Sequence, residues 1–259
     1  MSETKLKTQS LNFLNHIMEV GEQMLISGAE VHEVEECIKR MCYSLGAIRV
    51  DVFIITSSMV VTIHTDSGET YTQTRRITTA NTNFEKLHRL NELSKEFCEY
   101  SLSDKEMQQK LYNATNCKKF SVILEFICYS VIAAAFTIFF GGSIIEAVIS
   151  FFVGACVRSC ILLCDKIISN RIFPKFVSSA IVTLLAFLTV KIGWIDRVDT
   201  VIIGNIMTLI PGIGLTNALR DLFVGDSITG ILRFIEAILT ATAIAAGYFP
   251  IAFLGGITL

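Results

Sequence analysis

The chain lacks an excess of either charge. Twenty-two Lys and Arg stand against 24 Asp and Glu, a net charge of −2, and no basic patch with interleaved aromatics occurs. Nucleic-acid binding, which needs a positive footprint, therefore has no support. The first residues, MSETKLKTQS, are not followed by an apolar h-region, so no cleaved signal peptide is expected. The eight cysteines (Cys37, Cys42, Cys98, Cys117, Cys128, Cys156, Cys160 and Cys164) form no CxxC pair. They read as reduced and mostly buried, as in a cytosolic domain. Cys156, Cys160 and Cys164 recur at i, i+4 and i+8, but no His or carboxylate motif completes a ligand set. Packing is their expected role, and no metal or other cofactor is implied. Nucleophile elbow, HExxH, glycine-rich phosphate loop and Ser/His/Asp set are also missing, so no catalytic residue is assigned and the chain is read as a non-enzyme.

Charge is also unevenly spread. Residues 1–119 hold 14 Lys/Arg and 16 Asp/Glu, whereas residues 120–259 hold eight of each, clustered between apolar runs. With 52% hydrophobic residues and a mean hydropathy of +0.56, the chain divides into a soluble domain (1–119) and a transmembrane domain (120–259).

In the first part, Leu11, Leu14, Ile17, Met24, Leu25, Val31, Val34 and Ile38 recur at helical steps across 11–45. Gly28-Ala29 either admits a neighbouring element or kinks the helix. Arg49 to Ile55, Met59 to Thr65 and Glu69 to Arg75 read as strands, the last two joined at Asp66-Ser67-Gly68. Thr82-Asn83-Phe84-Glu85 has capping-box spacing and opens a helix to about Tyr100, and Ser103 to Glu106 repeats the signal. The expected order is α–β–β–β–α–α, a small α+β domain.

Five apolar segments follow, at about 120–140, 142–164, 176–194, 200–222 and 228–250, each near the roughly 20 residues a bilayer requires. Gly141-Gly142 joins the first two as a tight hairpin. Lys118-Lys119, Lys166, Arg171 and Lys175 flank one side, which the positive-inside rule places in the cytoplasm; Lys191 and Arg197 oppose this weakly. The soluble domain is then cytoplasmic, and the hairpin and the 192–199 loop lie outside. The fold class is an α-helical polytopic membrane protein, about five transmembrane helices, one broken at Pro-Gly, with an N-terminal soluble α+β domain.

The break is the fourth segment's Pro211-Gly212. Proline removes one backbone hydrogen bond and obstructs another, leaving carbonyls around Met207 and Thr208 short of donors. A new half-helix from near Ile213 aims its amides and positive dipole end into a cavity, the arrangement with which broken transporter helices hold a carboxylate. Asn205 and Thr208 before the break, Pro211, Gly212 and Gly214 at it, and Thr216 and Asn217 one turn beyond form the candidate substrate site. The alternative is a plain kink whose Thr and Asn bond back to the helix. A charged side chain at the bilayer centre costs at least about 2.5 kcal/mol, so Glu125, Glu146, Arg158, Arg220, Asp221, Arg233 and Glu236 need partners. Most fall in the cytoplasmic third, fit for a charge network or snorkelling. Glu236 is deepest and is the first candidate for a coupling carboxylate, with Glu146 the weaker one. The run AILTATAIAAG (237–247) suits close helix packing.

These pieces resemble one family. LIPGIGLTNALRDLFVGDSITGILRFIEAILTATAIAAG (209–247), with its Pro-Gly, Thr-Asn, Arg-Asp-Leu and Gly-Asp steps, is similar to the membrane part of the threonine/serine exporters. SGAEVHEVEECIKRM (27–41), VDVFIITSSMVVTIHT (50–65) and TRRI (74–77) resemble that family's cytoplasmic domain. The resemblance implies a secondary transporter in the plasma membrane, driven by protons, that exports small hydroxy amino acids or, in one branch, dicarboxylates such as succinate. Full-length members have about ten membrane helices. Five here imply the larger part of a split, two-component exporter with a second small membrane subunit, or else a homo-oligomer. Hydrolase-like activity suggested for the family's soluble part would use Glu30 and His64 as an acid–base pair. Glu30, Glu33 and His64 could instead meet Arg75 or Arg76 in a salt-bridged gating domain, the preferred reading. A membrane-anchored hydrolase and a non-transporting scaffold or channel are the alternatives.

Overall fold

The computed structural model describes residues 2–78, 81–100, 102–117, 120–167, 170 and 172–255, with side chains from Phe13 onward. Lys118, Lys119 and Arg171 of the orientation argument, and the side chain of Leu11, lie outside the described residues. The chain forms two compact units: Met1–Lys118 with Thr216–Arg233, and Lys119–Leu215 with Phe234–Leu259.

The first unit opens with α1 (Ser2–Ile26) and α2 (Val31–Ser44). The helical run over 11–45 is therefore broken, not kinked. Gly28 adopts φ +92°, a conformation that ends helices and that side-chain-bearing residues avoid. The closest helix approach falls at Gly21 instead, where a Cβ would come within 2.8 Å of Ile38 Cδ1. Strands β1 (Arg49–Ile55), β2 (Ser58–His64) and β3 (Thr70–Arg76) form an antiparallel meander in that order, with Val52 opposite Val61 and Val61 opposite Gln73. Side chains alternate across a strand. Val50, Ile54, Met59 and Val61 thus enter one core with Leu14, Ile17, Met24, Val34, Ile38 and Met41. Helices α3 (Phe84–Glu99) and α4 (Asp104–Thr115) add Leu90, Leu93, Met107 and Leu111 to it. The α3 cap is Asn83, not Thr82: its side chain accepts from Lys86 N–H. At α4 the expected capping box of Ser103 and Glu106 is present.

In the second unit, α5 (Val122–Phe139) and α6 (Ile144–Ile167) are joined by the Gly-Gly hairpin. Gly142 N–H bonds Thr137 C=O at 2.8 Å and Gly141 N–H bonds Ile138 C=O at 2.9 Å, with Gly141 at φ +82°. This is a complete Schellman stop. Helix α7 (Phe173–Lys191) follows, then α8 (Asp199–Ile206), α9 (Gly212–Val224) and α10 (Ser227–Leu254), the last two shared with the first unit. Among the described residues four helices, α5, α6, α7 and α10, are long and apolar enough to cross a membrane. The fourth expected segment is the broken pair α8 and α9. Ile123, Phe139, Ile144, Phe152 and Phe253 are exposed, as a lipid-facing surface requires.

Candidate functional site

The break forms where the sequence places it, one residue earlier than Ile213. Met207 N–H still reaches Ile203 C=O, but Thr208 and Leu209 N–H turn to Asn205 and Ile206 C=O, three residues back, at 3.1 and 2.8 Å. The ladder tightens because Pro211 has no N–H to donate. The first bond of α9 runs from Leu215 N–H to Pro211 C=O at 2.9 Å, so Ile213 and Gly214 precede the helical ladder. A Cβ at Gly212 would meet nothing within 4 Å. Gly214 and Thr216 are exposed and Pro211 and Asn217 half-buried.

Asn205 is fully buried. Its Nδ2 donates to Val201 C=O at 2.9 Å, its backbone C=O accepts the Thr208 hydroxyl at 2.7 Å, and its Oδ1 is buried with no hydrogen-bond partner. The back-bonding expected of a plain kink is thus present, yet it leaves one acceptor unmet.

Helix α8 packs closely on α5. A Cβ at Gly204 would lie 2.1 Å from Thr137 Oγ1 and 2.9 Å from Ala133 C=O. Thr137 Oγ1 in turn donates to Ser150 Oγ of α6 at 2.6 Å. Gly247 of α10 approaches α7 in the same way, 2.2 Å from Phe176 C=O to an added Cβ, beside Ser179 Oγ donating to Ile244 C=O at 2.7 Å. Small residues thus set helix spacing.

The carboxylates separate sharply. Glu146 is 6% exposed; its Oε2 accepts Ser143 N–H at 2.8 Å and the Thr200 hydroxyl at 3.0 Å. Glu236, the first candidate from the sequence, is exposed on α10. Glu125 pairs with Arg158, whose guanidinium also sits 5.5 Å from the Tyr129 ring centroid. The Ser143-x-x-Glu146 spacing was readable as a cap. Thr200 and Tyr129 had no local signal.

In the first unit the charges form two separate pairs, Arg233 with Asp221 and Arg220 with Glu30. Arg233 donates to Asp221 Oδ2 at 2.9 Å and to Ala29 C=O at 3.2 Å, and Arg220 pairs with Glu30 at 2.7 Å. The expected meeting of Glu30, Glu33 and His64 with Arg75 or Arg76 does not form. His64 bonds Thr70 Oγ1 at 2.9 Å and faces Asp51 at 3.5 Å, Arg75 faces Glu22 at 4.0 Å, and Glu33 accepts from Asn91 at 2.8 Å. Strand parity explains this: Met59 and Val61 point into the core, so His64 on the same strand points to the other face, away from the α2 start that bears Glu30. The pair required by the hydrolase reading is not assembled.

A small α+β unit, four membrane-grade helices and a helix broken at Pro-Gly are the architecture of a polytopic membrane protein. The threonine/serine exporter family matches residues 15–254, and the chain belongs to that family. No curated protein and no solved structure matches it.

Proposed function

We propose that this chain exports small hydroxy amino acids, threonine or serine, across the plasma membrane and binds them at the break between α8 and α9. Asn205 is the observation that carries the reading. An unmet buried acceptor costs about 1–3 kcal/mol, and a substrate ammonium or hydroxyl supplies the missing donor. The substrate carboxylate takes the amides of Ile213 and Gly214 at the α9 start, where the positive end of the helix dipole favours an anion. Thr208 bonds a remaining polar group. Succinate offers two carboxylates and no donor at neutral pH, so it leaves Asn205 Oδ1 unmet, which favours amino-acid cargo.

Protons entering drive the export, the N-terminal domain faces the cytoplasm, and a second small membrane subunit, or a second copy of this chain, is the partner. The test is efflux of labelled threonine, serine and succinate from liposomes under an imposed pH gradient, with the chain alone and with Asn205→Ala and Thr208→Val. Saturable threonine or serine efflux lost in both variants supports the reading. Unchanged efflux in both removes the site, and no efflux from folded wild type points to the missing subunit. His64→Ala leaves efflux unchanged if the soluble domain does no chemistry.

A further inference from the structure

The first unit holds a cavity of about 440 Å³ where the ends of α2 and α3 meet the start of α4, a size within the range of small-molecule sites. Its floor is Phe13 of α1 and Phe97 of α3, rings tilted by 59° with centroids 5.9 Å apart. The half-buried Cys98 lies beside them, and Tyr100, 63% exposed, stands on the wall. Aromatic rings around one space favour a cation, which is drawn to the negative ring face. The rest of the lining has the same sign. Ser44 closes α2 and Glu99 closes α3; the carbonyl end of a helix is negative, and neither helix has a basic residue in its last turn. Glu99 and Glu106 put two carboxylates on the rim, and among the described residues neither is in an ion pair. Glu106 is held below the usual carboxylate range by the Ser103 hydroxyl and N–H, which both donate to it at the α4 cap, so it is ionised at neutral pH. Lys110, one turn beyond Glu106, is paired with Glu96, and no described Lys, Arg or His lines the cavity. A neighbouring cavity lacks this imbalance, setting Arg89 and Lys110 against Glu92 and Glu96.

We propose that this cavity binds a methylated ammonium ion, a quaternary nitrogen of the kind choline carries, between the aromatic floor and the two rim carboxylates. A primary ammonium brings three N–H donors that Phe13, Phe97 and Leu102 cannot accept, and burying them unmet costs free energy. A quaternary nitrogen has no donor to leave unmet. Its methyl groups pack on the rings while Glu99 and Glu106 face its charge. Threonine and serine, with a primary ammonium and a carboxylate of their own, are the wrong chemistry here, so the inference is independent of what the break binds. A phosphocholine group brings a phosphate against the same two carboxylates, which favours the free ion over a lipid headgroup.

The experiment is timed maleimide labelling of the full chain in detergent, read by mass spectrometry at Cys98, which lines the cavity, and at Cys117, which does not. Choline at about four times its dissociation constant is expected to slow Cys98 about fivefold, since only the empty fraction reacts, and to leave Cys117 unchanged. Neohexanol, the same shape with carbon in place of the charged nitrogen, and sodium chloride at equal ionic strength are expected to change neither rate. Phosphocholine is expected to protect less than choline. Glu99→Gln and Tyr100→Ala, both at exposed positions, are expected to weaken choline about two- to fivefold each. Choline without effect on Cys98, neohexanol protecting as well as choline, both cysteines slowed alike, or unchanged choline affinity in both variants overturns the inference. Phosphocholine protecting better than choline overturns the free ion in favour of a lipid headgroup. A Cys98 that does not label in the empty protein shows a closed cavity and overturns the site.

Discussion

Arg233 and Asp221 form a nearly dry ion pair, 2.9 Å apart, with side chains 16% and 3% exposed. The second guanidinium nitrogen is held by the Ala29 carbonyl at 3.2 Å. Within one unit, this joins the turn before α2 to α9 and α10. Removing one partner strands the other charge, which costs about 3–5 kcal/mol at buried pairs. Asp221→Asn and Arg233→Gln should each lower the unfolding midpoint in detergent strongly, and the double variant by less than their sum. Additive losses in a double-mutant cycle sink the idea.

Glu30–Arg220 makes the opposite case. The pair is close, 2.7 Å, but Arg220 is 63% exposed. Exposed pairs contribute about 0.2–1 kcal/mol and are screened by salt. Glu30→Gln should therefore shift stability slightly, and the shift should vanish in molar salt. A large, salt-independent loss would show that Glu30 acts through something other than Arg220.

Two glycines of the broken segment predict opposite responses to alanine. At Gly204 an added Cβ falls 2.1 Å from Thr137 Oγ1 and 2.8 Å from Thr137 N. Backbone cannot yield as a flexible side chain does, so Gly204→Ala should destabilise by about 1–3 kcal/mol or prevent folding. At Gly212 the added atom meets nothing, and Gly212→Ala should leave folding unchanged while raising the apparent KM for export if the α9 amides hold the carboxylate. Equal stability of the two variants contradicts the packing argument.

The thiols of the first unit should react unequally. Burial pushes the Cys42 thiol up to about 12 and raises Cys37 in the same direction. The nucleophile is the thiolate, so both stay protonated and inert as pH rises through the ordinary thiol range. Cys98 and Cys117, which are half-exposed, should take up maleimide first. Mass-spectrometric mapping that finds Cys42 labelled as fast as Cys117 in folded protein counts against this core.

Much of the architecture is legible locally. Strand alternation from Arg49 to Arg76, the Ser103–Glu106 cap, the Gly-Gly stop after α5 and the failure of the helix at Pro211 depend on residues within a turn or two, where backbone chemistry leaves little choice. The single-residue errors, Asn83 for Thr82 and Gly212 for Ile213, come from the same short range, where neighbouring residues compete for one role.

Partner choice is of another kind. Sequence alone determined that carboxylates and guanidiniums stand in membrane-grade segments and that a helix breaks among them. Only the tertiary structure decided that Glu146 is buried and Glu236 exposed, that Thr200 reaches Glu146 across 54 residues and that Arg233 reaches Ala29 across 204. The physical reason is range. Propensity and periodicity act through the local backbone, while burial and pairing of a charge depend on which helix faces meet; in the second unit Gly204, Gly154 and Gly247 admit such meetings by close contact with chain distant in sequence.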